Sequence, residues 1–191
     1  EKSEAEIKDI ARRFQQWFCD LVVETIKTLT LSPAAVRGRV ELVGADILRG
    51  YADRKQSIII VLGHFGNWEL AGARYSAEPG IPQLYVIYHP LQNKGFDGLM
   101  HHMRTRHGTK LYTMRETSEA MLRDRHLNTA TAFIADQTPA PERAFWMDFL
   151  NQDTPVFQGT EALSRKLGYP VIYISITRPR RGYYCMTIEP L

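Results

Sequence analysis

Apolar side chains recur at spacings of three and four along the first thirty residues, as they do on one face of a helix. The positions are Ile7, Ile10, Phe14, Trp17, Phe18, Leu21 and Val22. They predict an amphipathic helix over residues 3–31, and Ser32 and Pro33 predict its end. Its apolar stripe either packs on the rest of the protein, which we favour, or lies on a membrane surface.

From residue 39 onwards, short apolar runs alternate with helical patterns. The predicted strands are Val40–Val43, Ser57–Leu62, Gln83–Tyr88, Lys110–Tyr112, Thr129–Ile134, Val171–Thr177 and Tyr183–Ile188. The predicted helices cover residues 45–54, 67–76, 94–107, 116–125 and 159–168. This alternation predicts an α/β fold with a mixed, largely parallel central sheet flanked by helices. We divide the chain into an N-terminal helical arm, residues 1–38, and a domain, residues 39–191.

Composition adds few constraints. The chain has 191 residues, 44% of them hydrophobic, and a net charge of +3, which is enough for a proper core and no reason to expect a nucleic-acid partner. The two cysteines lie far apart and have no metal-ligand spacing. No apolar run is long enough to span a bilayer. The chain begins with Glu1 and ends just after a strand pattern, so we expect a piece truncated at both ends.

The stretch IIIVLGHFGNWELAG, Ile58 to Gly72, combines a buried-looking strand with candidate chemistry. Sheets of this class bind ligands at the carboxyl ends of their strands, where His64 lies and where Asp136 closes another strand. A positive φ at Gly66 lets the chain fold back so that His64 meets Glu69. A carboxylate on one ring nitrogen makes histidine a better-oriented base. The alternative is a turn histidine followed by a solvated carboxylate at a helix start.

Four blocks of sequence resemble the bacterial lipid A biosynthesis (late, or secondary) acyltransferase family, within the glycerolipid acyltransferase superfamily. In chain order they are GHFGNWE, YHPLQNKGFDGLMHHMRTRHG, ADQTP and FLNQDTPVFQGTEALSRKLGYPVI. Position 89 is histidine where the family usually has arginine, which weakens a phosphate-binding role there. The family's N-terminal transmembrane helix is missing. The resemblance implies the soluble core of an enzyme on the cytoplasmic face of the bacterial inner membrane.

The resemblance implies a reaction as well. A fatty acyl chain passes from acyl-carrier protein, or alternatively from acyl-CoA, to a hydroxyl of a lipid A precursor at the membrane surface. His64 is the general base, Glu69 orients it, and backbone N–H groups or Asn67 stabilise the oxyanion. No metal or other cofactor is required. Two alternatives stay open: an acyltransferase for another membrane lipid, such as a phospholipid or aminolipid, and a non-catalytic lipid-binding domain with the same fold.

Most of the further candidates for substrate contacts have a structural role as an alternative. Arg104 and Arg106 point in different directions on one predicted helix, so only one reaches a phosphate, and we favour Arg104. Asn93 and Asp97 either brace the rim of the site or touch substrate. Asp136 and Gln137 either bind a ligand or form a buried hydrogen-bonded clamp. The last candidates, Phe157, Gly159 and Thr160, lie at the N-terminus of a predicted helix, where an anion could bind. The spacing of His101, His102 and His107 does not suit a metal site.

Overall fold

The computed structural model describes residues 2–191. The helices are α1 (Glu4–Lys27), α2 (Pro33–Arg39), α3 (Ala45–Asp53), α4 (Trp68–Ser76), α5 (Lys94–Thr105), α6 (Thr117–Arg123) and α7 (Gly159–Leu167). The strands are β1 (Val40–Val43), β2 (Ile58–Leu62), β3 (Gln83–Tyr88), β4 (Lys110–Thr113), β5 (Thr129–Ile134), β6 (Phe145–Phe149), β7 (Gln152–Val156), β8 (Val171–Arg180) and β9 (Tyr183–Pro190). A short 3₁₀ turn, Pro141–Arg143, precedes β6.

Seven strands form one sheet in the order β1-β9-β8-β2-β5-β3-β4. Neighbours pair in parallel throughout, except that β8 and β9 form an antiparallel hairpin. The prediction of a mixed, largely parallel sheet flanked by helices is therefore confirmed. The strands β2, β5 and β3 lie inside the sheet, so their carboxyl ends meet at one edge.

The strand β2 shows why both faces of the sheet are covered. Its side chains alternate, so Ile58 and Ile60 enter the core cluster that includes helices α2, α3 and α4. Ile59 points the other way, into the cluster beneath α6 and α7. All three isoleucines are buried, which explains the uninterrupted apolar run in the sequence.

The prediction of one helix over residues 3–31 is wrong at its C-terminal end. Helix α1 ends at Lys27, and Pro33 begins a separate helix, α2, instead of merely ending the first. The Ser32 side chain accepts the N–H of Ala35 as the N-cap. Proline fits the first position of a helix because that position needs no N–H donor.

Helix α1 is attached to the domain near its C-terminal end. The carboxylate of Asp20, which is buried, accepts hydrogen bonds from Arg178 and Arg181 near the end of β8. Of the predicted apolar stripe Leu21 is buried and Trp17 is partly buried, whereas the other five side chains are exposed. No helix within residues 2–191 is both long and apolar enough to cross a membrane.

The sequence pattern did not predict the antiparallel hairpin of β6 and β7. Its two-residue turn, Leu150 and Asn151, has positive φ at both positions, which suits the twist of a tight hairpin. All of β6 is exposed, and it carries the large apolar side chains Phe145, Trp146, Met147 and Phe149. The last three residues of β7 are partly buried, whereas the apolar side chains of β6 have no cover.

The glycine turn after β2 gives a stability test of this fold. A Cβ at Gly66 (φ +68°) would lie 2.6 Å from Cγ2 of Ile176, whereas one at Gly80 (φ +74°) would meet nothing within 4 Å. We expect Gly80→Ala to lower the free energy of unfolding by about 1–2 kcal/mol through backbone strain alone. Gly66→Ala should cost a further 1–3 kcal/mol, roughly, from overpacking. Urea unfolding of both variants measures the difference, and equal losses would contradict the packing against β8.

Candidate active site

The parallel pairing of β2 and β5 brings His64 and Asp136 together. Leu62 and Ile134 are paired residues in the two strands, and His64 and Asp136 each follow two residues later. The ring Nδ1 of His64 lies 2.7 Å from Oδ1 of Asp136. The backbone N–H of His64 donates to Oδ2 of the same carboxylate, also at 2.7 Å. Asp136 therefore holds both the ring and the main chain of His64.

The charge on Asp136 fixes the protonation pattern of the histidine ring. Burial raises the pKa of Asp136, but the hydrogen bonds from the His64 ring and backbone lower it more, so that the pKa lies below its ordinary value. An ionised carboxylate only accepts hydrogen bonds, so Nδ1 carries the proton. In the neutral ring the lone pair is then on the other nitrogen, Nε2. Trp68 packs edge-on against the ring at a centroid distance of 4.9 Å.

The expected pairing of His64 with Glu69 is not what the structure contains. Asp136 occupies that place, and Glu69 faces α5, where Arg104 binds its carboxylate. Nε of Arg104 lies 3.1 Å from each carboxylate oxygen, and Nη2 lies 2.5 Å from Oε1. Burial lowers the pKa of Arg104, but the hydrogen bonds and charge of Glu69 more than offset it, and the net change is upward.

The two glycines of the turn serve this arrangement in different ways. A Cβ at Gly63 would lie 3.1 Å from Oδ2 of Asp136, so glycine allows the carboxylate to approach the backbone closely. Gly66 has the expected positive φ and lies against Ile176 of β8. The turn thus presents His64 to Asp136 across the sheet edge, and not to Glu69.

Two predicted substrate contacts are instead engaged in holding α1 in place. The side chain of Asn67 is fully buried, accepts the N–H of Leu70 as the cap of α4, and donates to Glu24. Nη1 of Arg106 donates to the backbone carbonyls of Thr28 and Leu31 at 2.7 Å. Neither residue lines the cavity described below.

Asn93 and Asp97 have the bracing role that the sequence left open. The side chain of Asn93 caps α5 by accepting the N–H of Phe96. The carboxylate of Asp97 accepts the N–H of Leu91 at 2.8 Å. Together they fix the loop between β3 and α5, which contains Leu91, and the first turn of α5, which contains Phe96. Both residues line the cavity described next.

A largely apolar cavity of about 630 Å³ opens beside His64. Glu69, Trp68 and Arg104 line it, as do four residues predicted as substrate contacts, namely Gln137, Phe157, Gly159 and Thr160. Some lining residues are large apolar side chains that are also exposed, and they mark the mouth: Leu91, Phe96, Met114 and Phe157. Its volume falls in the usual range for small-molecule sites.

The sequence model of the bacterial lipid A biosynthesis acyltransferases matches residues 1–191, the entire chain. The chain belongs to this family. None of the curated proteins compared with the chain is a significant match. The family identifies the protein as an acyltransferase of lipid A biosynthesis, with a lipid acceptor and an acyl donor as its substrates. The largely apolar cavity beside His64 suits the hydrocarbon of such substrates.

Sequence reasoning missed several features of this candidate site. It named Asp136 only as a ligand contact or clamp, although the position of that residue just after an apolar strand, like that of His64, was a usable signal. It did not single out Gly72 and Tyr75, which line the cavity from α4. Within residues 2–191, no group of three or more His, Cys, Asp or Glu side chains is placed to hold a metal ion.

The lowered pKa of Asp136 predicts a pH-dependent stability. A depressed pKa contributes stability that is present above the unfolded value, about 3.9, and is lost as pH falls through the folded value. We therefore expect Asp136→Asn to be less stable than the wild type near neutral pH, and the difference to shrink below about pH 4. Urea unfolding at a series of pH values tests this. Asp53→Asn, at an exposed position on α3, controls for the removal of a charge, and a pH-independent difference for Asp136→Asn would contradict the pairing.

Proposed function

We propose that this chain transfers a fatty acyl group from the thioester of acyl-carrier protein to a hydroxyl of a lipid A precursor. The observation that carries the proposal is the His64–Asp136 pair at an apolar cavity. The cavity provides an apolar environment for the hydrocarbon of the acyl chain, and Nε2 of His64 provides a base. Acyl-CoA is the alternative donor, since the reacting thioester is the same.

In the proposed reaction, Nε2 of His64 removes the proton from the acceptor hydroxyl. The oxygen attacks the thioester carbonyl carbon, and a tetrahedral oxyanion forms. The C–S bond then breaks, and the departing thiolate takes the proton from the imidazolium. Asp136 keeps its charge throughout and stabilises the positive ring. This sequence of steps needs neither a metal nor another cofactor.

Glu69 and Arg104 contribute to the proposed reaction as a pair. Their side chains are only 11% and 25% exposed, respectively, and both residues line the cavity. In a site of low polarity, the guanidinium that Glu69 holds in place is a fixed positive group. We propose that it favours the negative charge of the oxyanion or of the acceptor lipid. Glu69 then acts through Arg104, and Asp136 has the orienting role that the resemblance gave to Glu69.

We further propose that the β6–β7 hairpin contacts the membrane at the cytoplasmic face of the inner membrane. Residues 138–156, which contain the hairpin, lie between Gln137 and Phe157, which both line the cavity. Exposed Phe and Trp side chains suit the bilayer interface. The cations Lys94 and Arg115 lie within two positions of the mouth residues Phe96 and Met114 in the sequence and favour an anionic surface. The lipid acceptor then reaches the cavity without crossing water.

The base mechanism predicts large losses of activity. We expect His64→Ala to lower kcat by about 10²–10⁴-fold, because the acceptor hydroxyl loses its base. Asp136→Asn should also reduce kcat strongly, since an amide does not enforce the reactive tautomer. Transfer of radiolabelled acyl chains from acyl-carrier protein to the lipid acceptor measures both. His126→Ala, an exposed turn histidine outside the cavity, is the matched control, and unchanged transfer in His64→Ala would rule out the mechanism.

The acceptor is tested in cells. Mass spectrometry of lipid A from a strain that lacks the gene should show molecules short of one acyl chain. Complementation with the full-length gene should restore the missing chain, and complementation with the His64→Ala variant should not. A fully acylated lipid A in the deletion strain would instead favour another membrane lipid as acceptor.

The membrane contact predicts a loss of vesicle binding. We expect the double variant Phe145→Ser, Phe149→Ser to bind vesicles of phosphatidylethanolamine and phosphatidylglycerol at least about tenfold more weakly, because two aromatic side chains no longer enter the interface. Co-sedimentation measures the bound fraction. Leu127→Ser removes an exposed apolar side chain just before β5, at the opposite edge of the sheet. Equal binding by the double variant and the control would contradict this orientation.

A further inference from the structure

The cavity extends over both faces of the sheet. On the α4 face its lining includes Leu84 and Val86 of β3, whereas Ile87 and Phe133 lie on the face of α6 and α7. We call the part on the α4 face the α4 arm, lined by Leu62, Gly72, Tyr75, Leu84, Val86 and Met103. It runs along β3 from Tyr88 to Leu84, a length of about 13 Å at the usual rise of a strand.

Small residues on α4 make room for this arm. Ala71, Gly72 and Ala73 are consecutive on the helix, and all three line the cavity. A Cβ built at Gly72 would meet nothing within 4 Å, so the space beside the helix is open at that point. Glycine in the middle of a helix is unfavourable by about 1 kcal/mol relative to alanine, so its presence calls for a reason other than helix stability.

The side chain of Tyr75 lies at the inner end of the arm. It is 2% exposed, and its hydroxyl has no hydrogen-bond partner among the residues that the structure describes. Next to Tyr75 on α4, the hydroxyl of Ser76 pairs at 2.7 Å with that of Thr109, which also lines the cavity. Since Thr109 immediately precedes β4, this end of the arm lies near the amino edge of the sheet, away from His64.

We propose that the α4 arm binds the hydrocarbon end of an acyl chain, with Gly72 as its passage and Tyr75 as its floor. These two residues then set the longest straight chain that the site accepts. The inference rests on the proposed function for the identity of the ligand as an acyl chain. It goes beyond that function by assigning the acyl chain to one face of the sheet and its length limit to two residues, Gly72 and Tyr75.

Burial of hydrocarbon predicts how affinity changes with chain length. Each methylene that enters the arm strengthens binding by about fourfold. A methylene beyond the capacity of the arm leaves the affinity unchanged. Affinity therefore rises with chain length up to a limit and then stays constant, and we call this limiting length the break. A leucine at position 72 fills the passage, so the break should move to shorter chains. Phenylalanine at position 75 removes an unpaired hydroxyl, so the break should move to slightly longer chains at no cost in stability.

The experiment measures binding of straight-chain saturated fatty acids of increasing length to the purified chain, by displacement of a fluorescent fatty acid. We expect Gly72→Leu to lose affinity for long chains and to keep wild-type affinity for the shortest ones that bind. Gly98→Leu is the matched control, because Gly98 is also a helical glycine with nothing within 4 Å of its Cβ and lies outside the cavity lining. Thermal unfolding verifies that each variant is folded.

Three outcomes decide the proposal. A break that moves to shorter chains in Gly72→Leu, and to longer ones in Tyr75→Phe but not in Gly98→Leu, supports it. An unchanged break in both cavity variants overturns it, as does a wild-type chain that binds no fatty acid. Because this readout does not depend on acyl transfer, unchanged transfer in His64→Ala would refute the proposed reaction and leave the result for the arm unaffected.

Discussion

The hydrogen bonds between Asp136 and His64 depend on the parallel pairing of β2 with β5. The two residues are 72 positions apart, and each lies two residues beyond a paired strand residue. One carboxylate binds both the ring and the main chain of the histidine, so the orientation of the imidazole follows from the register of the sheet. A shift of one strand by one residue would place the carboxylate on the wrong side of the sheet.

The same sheet edge also organises the cavity. Helix α4 begins directly after the glycine turn, so Glu69 in its first turn and Gly72 and Tyr75 further along line one continuous wall. Arg104 joins this wall to α5 through its hydrogen bonds with Glu69. A partly buried carboxylate without that partner would carry a desolvation cost, so the pair fixes two helices and satisfies the charge of Glu69.

Exposed apolar surface lies mainly on elements outside the central sheet. The free face of α1 and the β6–β7 hairpin carry large side chains that the domain does not cover. Inside the domain, by contrast, both faces of the sheet are packed. The cavity adjoins the hairpin through Gln137 and Phe157, so the exposed apolar surface lies next to the cavity along the chain.

The sequence by itself determined the α/β class, the strands of the central sheet and the identity of His64 as the candidate base, because these depend on local periodicity and on a short motif. It missed the hairpin, since β6 has no buried face and shows no clean alternation. Only the tertiary structure decided that Asp136 rather than Glu69 holds His64, that Asn67 and Arg106 secure α1, and that α4 borders an open arm. Those outcomes depend on which strands become neighbours and in what register, and short-range spacing along the chain does not contain that information.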